Sequence, residues 1–345
     1  MSHLSLAANQ GLMSGGEEML MRSAEAARDL GLPVTVVAPD EPDDTLTYAR
    51  RAGFDTVGIP GADRLAYARG LRRWDRGRSG LLWCHGLVPA LATAGRPRRI
   101  VHLHQLPATR LQRTLYAVAR RRAMAVVVPS AVMASRLRGT RVIANWTGDA
   151  SVSRRLPDAG ATTIGFLGRL SQDKGLDVLA DSVGLLSSSH SGIRLLVAGD
   201  SRFVPASQST AVDAALARVA AQVDARGWIQ RDEFFADVDL AVFPSVWPEP
   251  FGLGVAEAMA AGVPCVISDA GALTEVAGPE HPWVAPAGDP AALARVIAEA
   301  LAADPGPVVD RARARWEAEY SPAAGRARVA ALLQSLGLPV AENAP

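Results

Sequence analysis

The sequence predicts an α/β protein made of two successive domains, each a parallel sheet flanked by helices. Three observations predict it. The chain has 345 residues, and a single hydrophobic core usually stops growing at about 250–300 residues. Short apolar runs alternate with stretches of helical periodicity, which is the pattern of βαβ units. The alternation restarts after Asn145, and the charge reverses there. Residues 1–150 hold 21 Arg against 12 Asp and Glu, a net +9, whereas residues 151–345 hold 15 basic against 23 acidic residues, a net −8. Such asymmetry between halves fits two domains with different partners.

Taken in order, residues 4–8 form a first strand, a compact apolar run. Residues 9–16 are a Gly-containing loop, and 17–30 read as a helix that Gly31 terminates. Runs at 34–38, 81–85, 100–104 and 125–129 are further strands. An Arg-rich helix, 110–122, lies between the last two, with Leu111, Leu115, Tyr116 and Val118 expected to face the core. Residues 151–160, polar and carrying Pro157 and Gly160, suit a linker. The second half then reads strand 163–167, helix 175–187, strand 194–198, helix 211–223, strand 239–243, helix 254–261, strand 264–268 and helix 290–302. A last helix spans 322–336. The two domains are thus expected at 1–150, completed by about 322–345, and at 151–321.

Composition excludes several classes. Apolar residues make up 49% and charged residues 21% of the chain, so a disordered protein is not expected. No window offers about 18 uninterrupted apolar residues, so no membrane span is expected. The first ten residues lack a basic start and a long apolar stretch, so no secretory leader is expected. A cytoplasmic protein follows. The two cysteines, Cys84 and Cys265, are far apart without metal-ligand spacing and read as small reduced core residues. No Asp/Glu/His metal cluster and no Asp-x-Asp element is visible, so a metal-independent protein without a cofactor is expected. No strand leads into Gly-x-Gly-x-x-Gly, which argues against a dinucleotide dehydrogenase.

The most informative segment is Pro244-Ser-Val-Trp-Pro-Glu-Pro-Phe-Gly-Leu-Gly-Val-Ala-Glu257. It begins where a strand ends and leads into a helix, and open α/β sheets bind ligands beyond the carboxyl ends of their strands. Gly252 and Gly254 let backbone approach a ligand. The helix start offers N–H groups and a positive dipole end to phosphate or hydroxyl oxygens. Glu249 and Glu257 flank the turn, and each can accept hydrogen bonds from vicinal hydroxyls of a neutral polyol. The plain alternative is that Glu257 complements the helix dipole and Glu249 is a solvated loop acid. A second segment, Gly165-Phe-Leu-Gly-Arg169-Leu-Ser-Gln-Asp-Lys174-Gly175, sets two cations at another strand end, suited to neutralising phosphate. Lys174 is the chain's one lysine among 36 basic residues, a compact ammonium where every other cation is a planar fork. Two further features stand in the first half: Gly15-Gly16-Glu17 before a helix, and His104 at a strand end. His102 alternates with His104 and can point to the same face; His102 and His85 are rivals for the same role.

These motifs resemble those of retaining GT-B glycosyltransferases, and the chain is similar to glycosyltransferase family 4. The resemblance covers nearly the whole chain, most specifically residues 160–290. It implies two Rossmann-like domains with a deep cleft between them and a C-terminal helix that crosses back to the first. It implies that Glu249 contacts the donor sugar, Glu257 holds the ribose, and Phe251, Gly252 and Leu253 form the intervening turn. Arg169 and Lys174 would clamp the diphosphate, Gly15 and Gly16 would approach it, and His104 would lie near sugar and acceptor. The implied reaction moves a hexose-type sugar from a nucleotide-diphosphate-sugar, of UDP or GDP type, to an acceptor hydroxyl with retention. The acceptor is expected to be a small molecule, a glycan or a lipid-linked species. No nucleic-acid partner is expected. The basic helix 110–122 would meet an anionic membrane surface at the inner face, or is a solvated helix in an Arg-biased protein. Rival readings are a GT-B epimerase or phosphorylase, and a non-catalytic nucleotide-sugar-binding or partner subunit.

Overall fold

The computed structural model describes residues 3–61, 63–150, 152, 162–188, 190–201 and 204–339. The expected linker 151–160 lies, but for Val152, outside them. The contacts divide the chain into two units, Met1–Trp146 with Pro322–Pro345 and Thr147–Ser321.

In the first unit the chain runs β1 (Leu4–Ala7), α1 (Gly15–Asp29), β2 (Val34–Pro39), α2 (Asp44–Arg51), β3 (Asp55–Ile59), α3 (Arg64–Trp74) and β4 (Leu81–His85). It continues with α4 (Leu87–Ala92), β5 (Arg99–His102), α5 (Arg110–Ala119), β6 (Ala125–Val128), α6 (Ala131–Arg136) and β7 (Arg141–Val142). The strands form one parallel sheet in the order β3-β2-β1-β4-β5-β6-β7. The central strands are buried along their whole length, as expected of a parallel sheet covered on both faces. Val37, Leu82, Val101 and Val126 share a core with Tyr67, Leu71 and Met133.

The second unit runs β8 (Thr162–Leu167), a 3₁₀ turn at Gln172–Lys174, α7 (Leu176–Leu186), β9 (Ile193–Ala198), α8 (Ala206–Arg218), β10 (Val223–Gly227) and α9 (Arg231–Asp237). Then come β11 (Leu240–Phe243), α10 (Leu253–Ala261), β12 (Cys265–Ser268), α11 (Leu273–Ala277), β13 (Val284–Ala285), α12 (Pro290–Ala302) and α13 (Gly306–Glu319). This sheet is also parallel, in the order β10-β9-β8-β11-β12-β13. Its core gathers Ile164, Phe166, Leu179, Leu195, Val242 and Ile297. The last helix, α14 (Pro322–Ser335), belongs to the first unit and packs on α1. Each unit is therefore a Rossmann-like α/β layer structure, as the alternation predicts.

Four expectations shift. Helix 211–223 is displaced: α8 ends at Arg218 and Val223 opens β10. The run Ala-Ala-Leu-Ala-Arg-Val-Ala-Ala hides the break, because alanine suits a helix end as well as its middle. The basic helix is shorter than expected, since α5 stops at Ala119, and Arg122 has a positive φ of 59°. Leu111 does not face the core; it is 68% exposed, while Tyr116 and Ala119 are buried. The strand expected at 100–104 ends at His102, so His104 lies beyond it in the following loop. Among the described residues no helix is long and apolar enough to cross a membrane.

Candidate active site

Both sheets reverse strand order once, between β1 and β4 in the first unit and between β8 and β11 in the second. Such switch points open a crevice outside the carboxyl ends of the strands. The residues singled out by the sequence gather at these two places.

In the second unit, β8 delivers Arg169 and the 3₁₀ turn Gln172–Lys174, while β11 delivers Ser245 and Glu249. The two segments lock together through backbone: Val246 N and Trp247 N donate to Asp173 O at 3.0 and 3.1 Å. Gly175 makes this approach possible. Its φ is +70°, and a Cβ there would collide with the Pro244 carbonyl oxygen. Lys174 Nζ then reaches Glu249 Oε1 at 2.5 Å. The same oxygen accepts from Ser245 Oγ at 2.6 Å, and Ser245 O in turn accepts from Ser268 Oγ at 2.6 Å. Glu249 is buried, and its backbone is fixed by Ala272 N donating to Glu249 O at 2.9 Å. A buried carboxylate is costly unless it is paired and hydrogen-bonded; Lys174 and Ser245 supply that pairing. Arg169, half-exposed, lies 3.6 Å from Asp173.

Glu257 is buried on α10, with Oε1 2.7 Å from Arg231 Nε at the start of α9. Sequence reasoning missed Arg231, because no linear motif ties the first residue of α9 to the first turns of α10. It also missed Ser245, although Ser245 stands in the quoted string, one helical-turn spacing before Glu249. Gly252 caps α10 in a left-handed conformation, and Phe251 packs edge-on against Tyr320, with centroids 5.4 Å apart. Phe251, Gly252 and Leu253 thus form the turn that aims the α10 N-terminus at this strand edge. The first N–H groups of a helix have no intrahelical partner and favour an anion.

In the first unit, Ser14 is the N-cap of α1, and its hydroxyl donates to the Glu17 carboxylate. Burial raises the Glu17 carboxyl above the usual range. Gly15 and Gly16 form the first turn of α1, and a methyl group on Gly16 would sit 3.3 Å from His104 Cδ2. His104 therefore lies beside the α1 N-terminus, in the loop after β5 rather than at the strand end the sequence suggested. The rivals are there too: His85 Nδ1 and His104 Nε2 are 3.0 Å apart, and the His102 and His104 rings have centroids 4.2 Å apart. His85 and His102 are paired across β4 and β5, which accounts for the juxtaposition. Burial lowers all three imidazoles, His104 to about 4, and neighbouring imidazoles lower His85 and His102 further. No metal-ligand set was legible in the sequence; the fold nevertheless assembles a three-histidine cluster from β4, β5 and the loop after β5.

Comparisons with known proteins bear on the fold and the family. The chain is 34% identical over 169 residues to the 2-deoxystreptamine glucosyltransferase of Streptomyces kanamyceticus, a match covering 47% of this chain and 42% of that one. It is 33% identical over 152 residues to the phosphatidyl-myo-inositol mannosyltransferase of Mycobacterium leprae, covering 43% and 39%. The chain spans less than half the length of these curated relatives. Among solved structures, HepE of Anabaena in complex with UDP and glucose has the same fold, with a TM-score of 0.83 at 20% identity, covering 97% of this chain and all of that one. Sucrose-phosphate synthase of Thermosynechococcus elongatus has a TM-score of 0.80 at 18% identity, over 98% and 99% of the two chains. Residues 13–146 match the family model described as Glycosyltransferase Family 4, and residues 161–303 match that of Glycosyl transferases group 1. With a family model on each half and a GT-B fold throughout, the chain belongs to the family 4, group 1 glycosyltransferases.

Proposed function

We propose that this chain transfers a hexose-type sugar from a nucleoside-diphosphate sugar of UDP or GDP type to an acceptor hydroxyl, with retention of anomeric configuration. The observation that carries the reading is the Lys174–Glu249 pair at the carboxyl edge of β8 and β11, 2.5 Å apart. An ammonium and a carboxylate held together beside a helix N-terminus match the two ends of a donor. The cation and the α10 N–H groups meet the diphosphate, and the carboxylate accepts from sugar hydroxyls. HepE, whose structure was determined with UDP and with UDP-glucose, has this fold, which supports a donor of that class.

Negative charge grows on the diphosphate as the glycosidic bond breaks. Arg169, Lys174 and the α10 N-terminus stabilise that charge in this reading. The acceptor hydroxyl then attacks from the face the diphosphate leaves, and its proton passes to a departing phosphate oxygen. Glu257 takes the ribose hydroxyls, sharing its carboxylate with Arg231. His104, with Gly15 and Gly16 at the α1 N-terminus, belongs to the acceptor side of this reading. No resident cofactor enters it.

Exposed Arg110, Arg113, Arg120, Arg121 and Arg122, together with exposed Leu111, support contact between this face and an anionic surface, for a cytoplasmic protein that meets the inner membrane peripherally. Co-sedimentation with anionic vesicles at low salt, lost at moderate salt, is the expected outcome; no sedimentation at low salt removes this part.

The reading is tested by turnover of Lys174→Ala and Glu249→Ala with a matched donor and acceptor. Each is expected to lose at least about 100-fold in kcat/KM, the scale of removing a transition-state electrostatic contact. Full turnover in both variants contradicts the proposal, and donor binding by wild type without turnover over an acceptor panel favours a binding subunit.

A further inference from the structure

We propose that His85, His102 and His104 form a binding site for a divalent transition-metal ion of the zinc class at the carboxyl edge of β4 and β5. The argument begins with an accounting problem. His85 and His102 are almost fully buried, yet His85 Nε2, both ring nitrogens of His102 and His104 Nδ1 have no hydrogen-bond partner. Buried polar atoms are paired in the great majority of cases, and a cluster of exceptions calls for a water or ion. Trp83, stacked on His102 with centroids 6.0 Å apart, closes one side with an apolar ring whose own Nε1 is also unpartnered. The interior here supplies nitrogen atoms without enough acceptors to satisfy them.

The geometry suits one ion. One ligand nitrogen from each of the three rings can be chosen so that all lie within 4.8 Å of one another. With Zn–N bonds of about 2.0–2.1 Å, tetrahedral ligand nitrogens stand about 3.3 Å apart. His85 Nδ1 and His104 Nε2, at 3.0 Å, are already near that spacing. His102 offers the third ligand, with both ring nitrogens unpartnered. Three imidazoles without a carboxylate or thiolate suit zinc, copper or nickel rather than magnesium or calcium, which take oxygen ligands. The rings are neutral near pH 7, the form that ligates without displacing a proton. Three protein ligands leave a fourth position for water or an oxygen of a small ligand. Gly16 borders His104, and the buried acid Glu17 follows it on the same helix turn.

The three histidines lie in the first unit, and their test needs no sugar nucleotide. Protein stripped with chelator and dialysed is titrated with ZnCl₂ by calorimetry and with CoCl₂ by visible absorption, alongside His102→Asn and His85→Asn. The expected result is one tightly held zinc per chain, an intense four-coordinate cobalt spectrum, and at least about a tenfold loss of affinity in each variant, the scale of losing a ligand's support. Equal zinc binding by wild type and both variants overturns the proposal. A weak, octahedral cobalt spectrum of the wild type also overturns it, and that measurement decides even if the variants do not fold.

Discussion

Lys174 is the side chain whose role is most sharply defined. Its Nζ holds a buried carboxylate, so Lys174→Ala strips Glu249 of its counter-charge and, on the proposed reading, removes a phosphate contact as well. Lys174→Arg is expected to recover little activity, because a planar guanidinium is wider than the compact ammonium that shares Glu249 Oε1 with the Ser245 hydroxyl; near-wild-type turnover in that variant would show that charge alone suffices. The two cysteines make a second residue-level case. Burial pushes the Cys265 thiol up to about 12 and raises Cys84 as well. The thiolate is the reactive form, so native protein at pH 8 should react with a thiol reagent only as fast as it opens, whereas unfolded protein should release both thiols at once. Rapid labelling of the native state would mean that these strands are looser than described. The Glu249–Glu257 string was legible because chemistry and spacing lie in one stretch of chain, and the cysteines because each sits in an apolar run. Arg231 and the joining of His85 to His102 were not, since they depend on register between elements that the sequence does not write side by side.

Turns and strand ends carry the next set of constraints. Gly175 has a positive φ and faces the Pro244 carbonyl, so Gly175→Ala should strain the backbone and push β8's turn from β11. We expect a destabilisation of more than about 1 kcal/mol, read from thermal unfolding, together with lost donor affinity. Unchanged stability would mean that the close approach is not required. Arg99 is the counterpart in the first unit. It is fully buried on β5, and its guanidinium donates to Ala90 O, Thr93 Oγ1, Ala119 O and Arg121 O. The last two are carbonyls at the end of α5, so a strand residue caps a helix. Arg99→Met should take from the Ala119 and Ala90 carbonyls their guanidinium donor and cost at least about 2 kcal/mol by denaturant unfolding; a neutral change would contradict this capping role. Strand positions were readable from apolar runs. The end of α5 was not, because arginine favours a helix, and the stop at Ala119 is set by a partner from another strand.

Over the whole chain, two Rossmann-like units share one plan: a parallel sheet, one reversal of strand order, and polar residues collected where the order reverses. The basic first half and the acidic second half fold into these units, and α14 returns the end of the chain to the first. The repetition of strand and helix exposed the architecture early, since every second element must bury an apolar face on a common sheet. The central claim is that the second unit's strand edge is built for a nucleoside diphosphate carrying a sugar. Thermal unfolding with UDP, GDP, ADP and dTDP and their sugars tests it most directly, because a ligand at 100 times its Kd stabilises the native state by about 2.7 kcal/mol. The account predicts a clear rise in Tm with one nucleotide type, of UDP or GDP class, and its loss in Lys174→Ala. No rise with any member of the panel, or an equal rise in the variant, would contradict it.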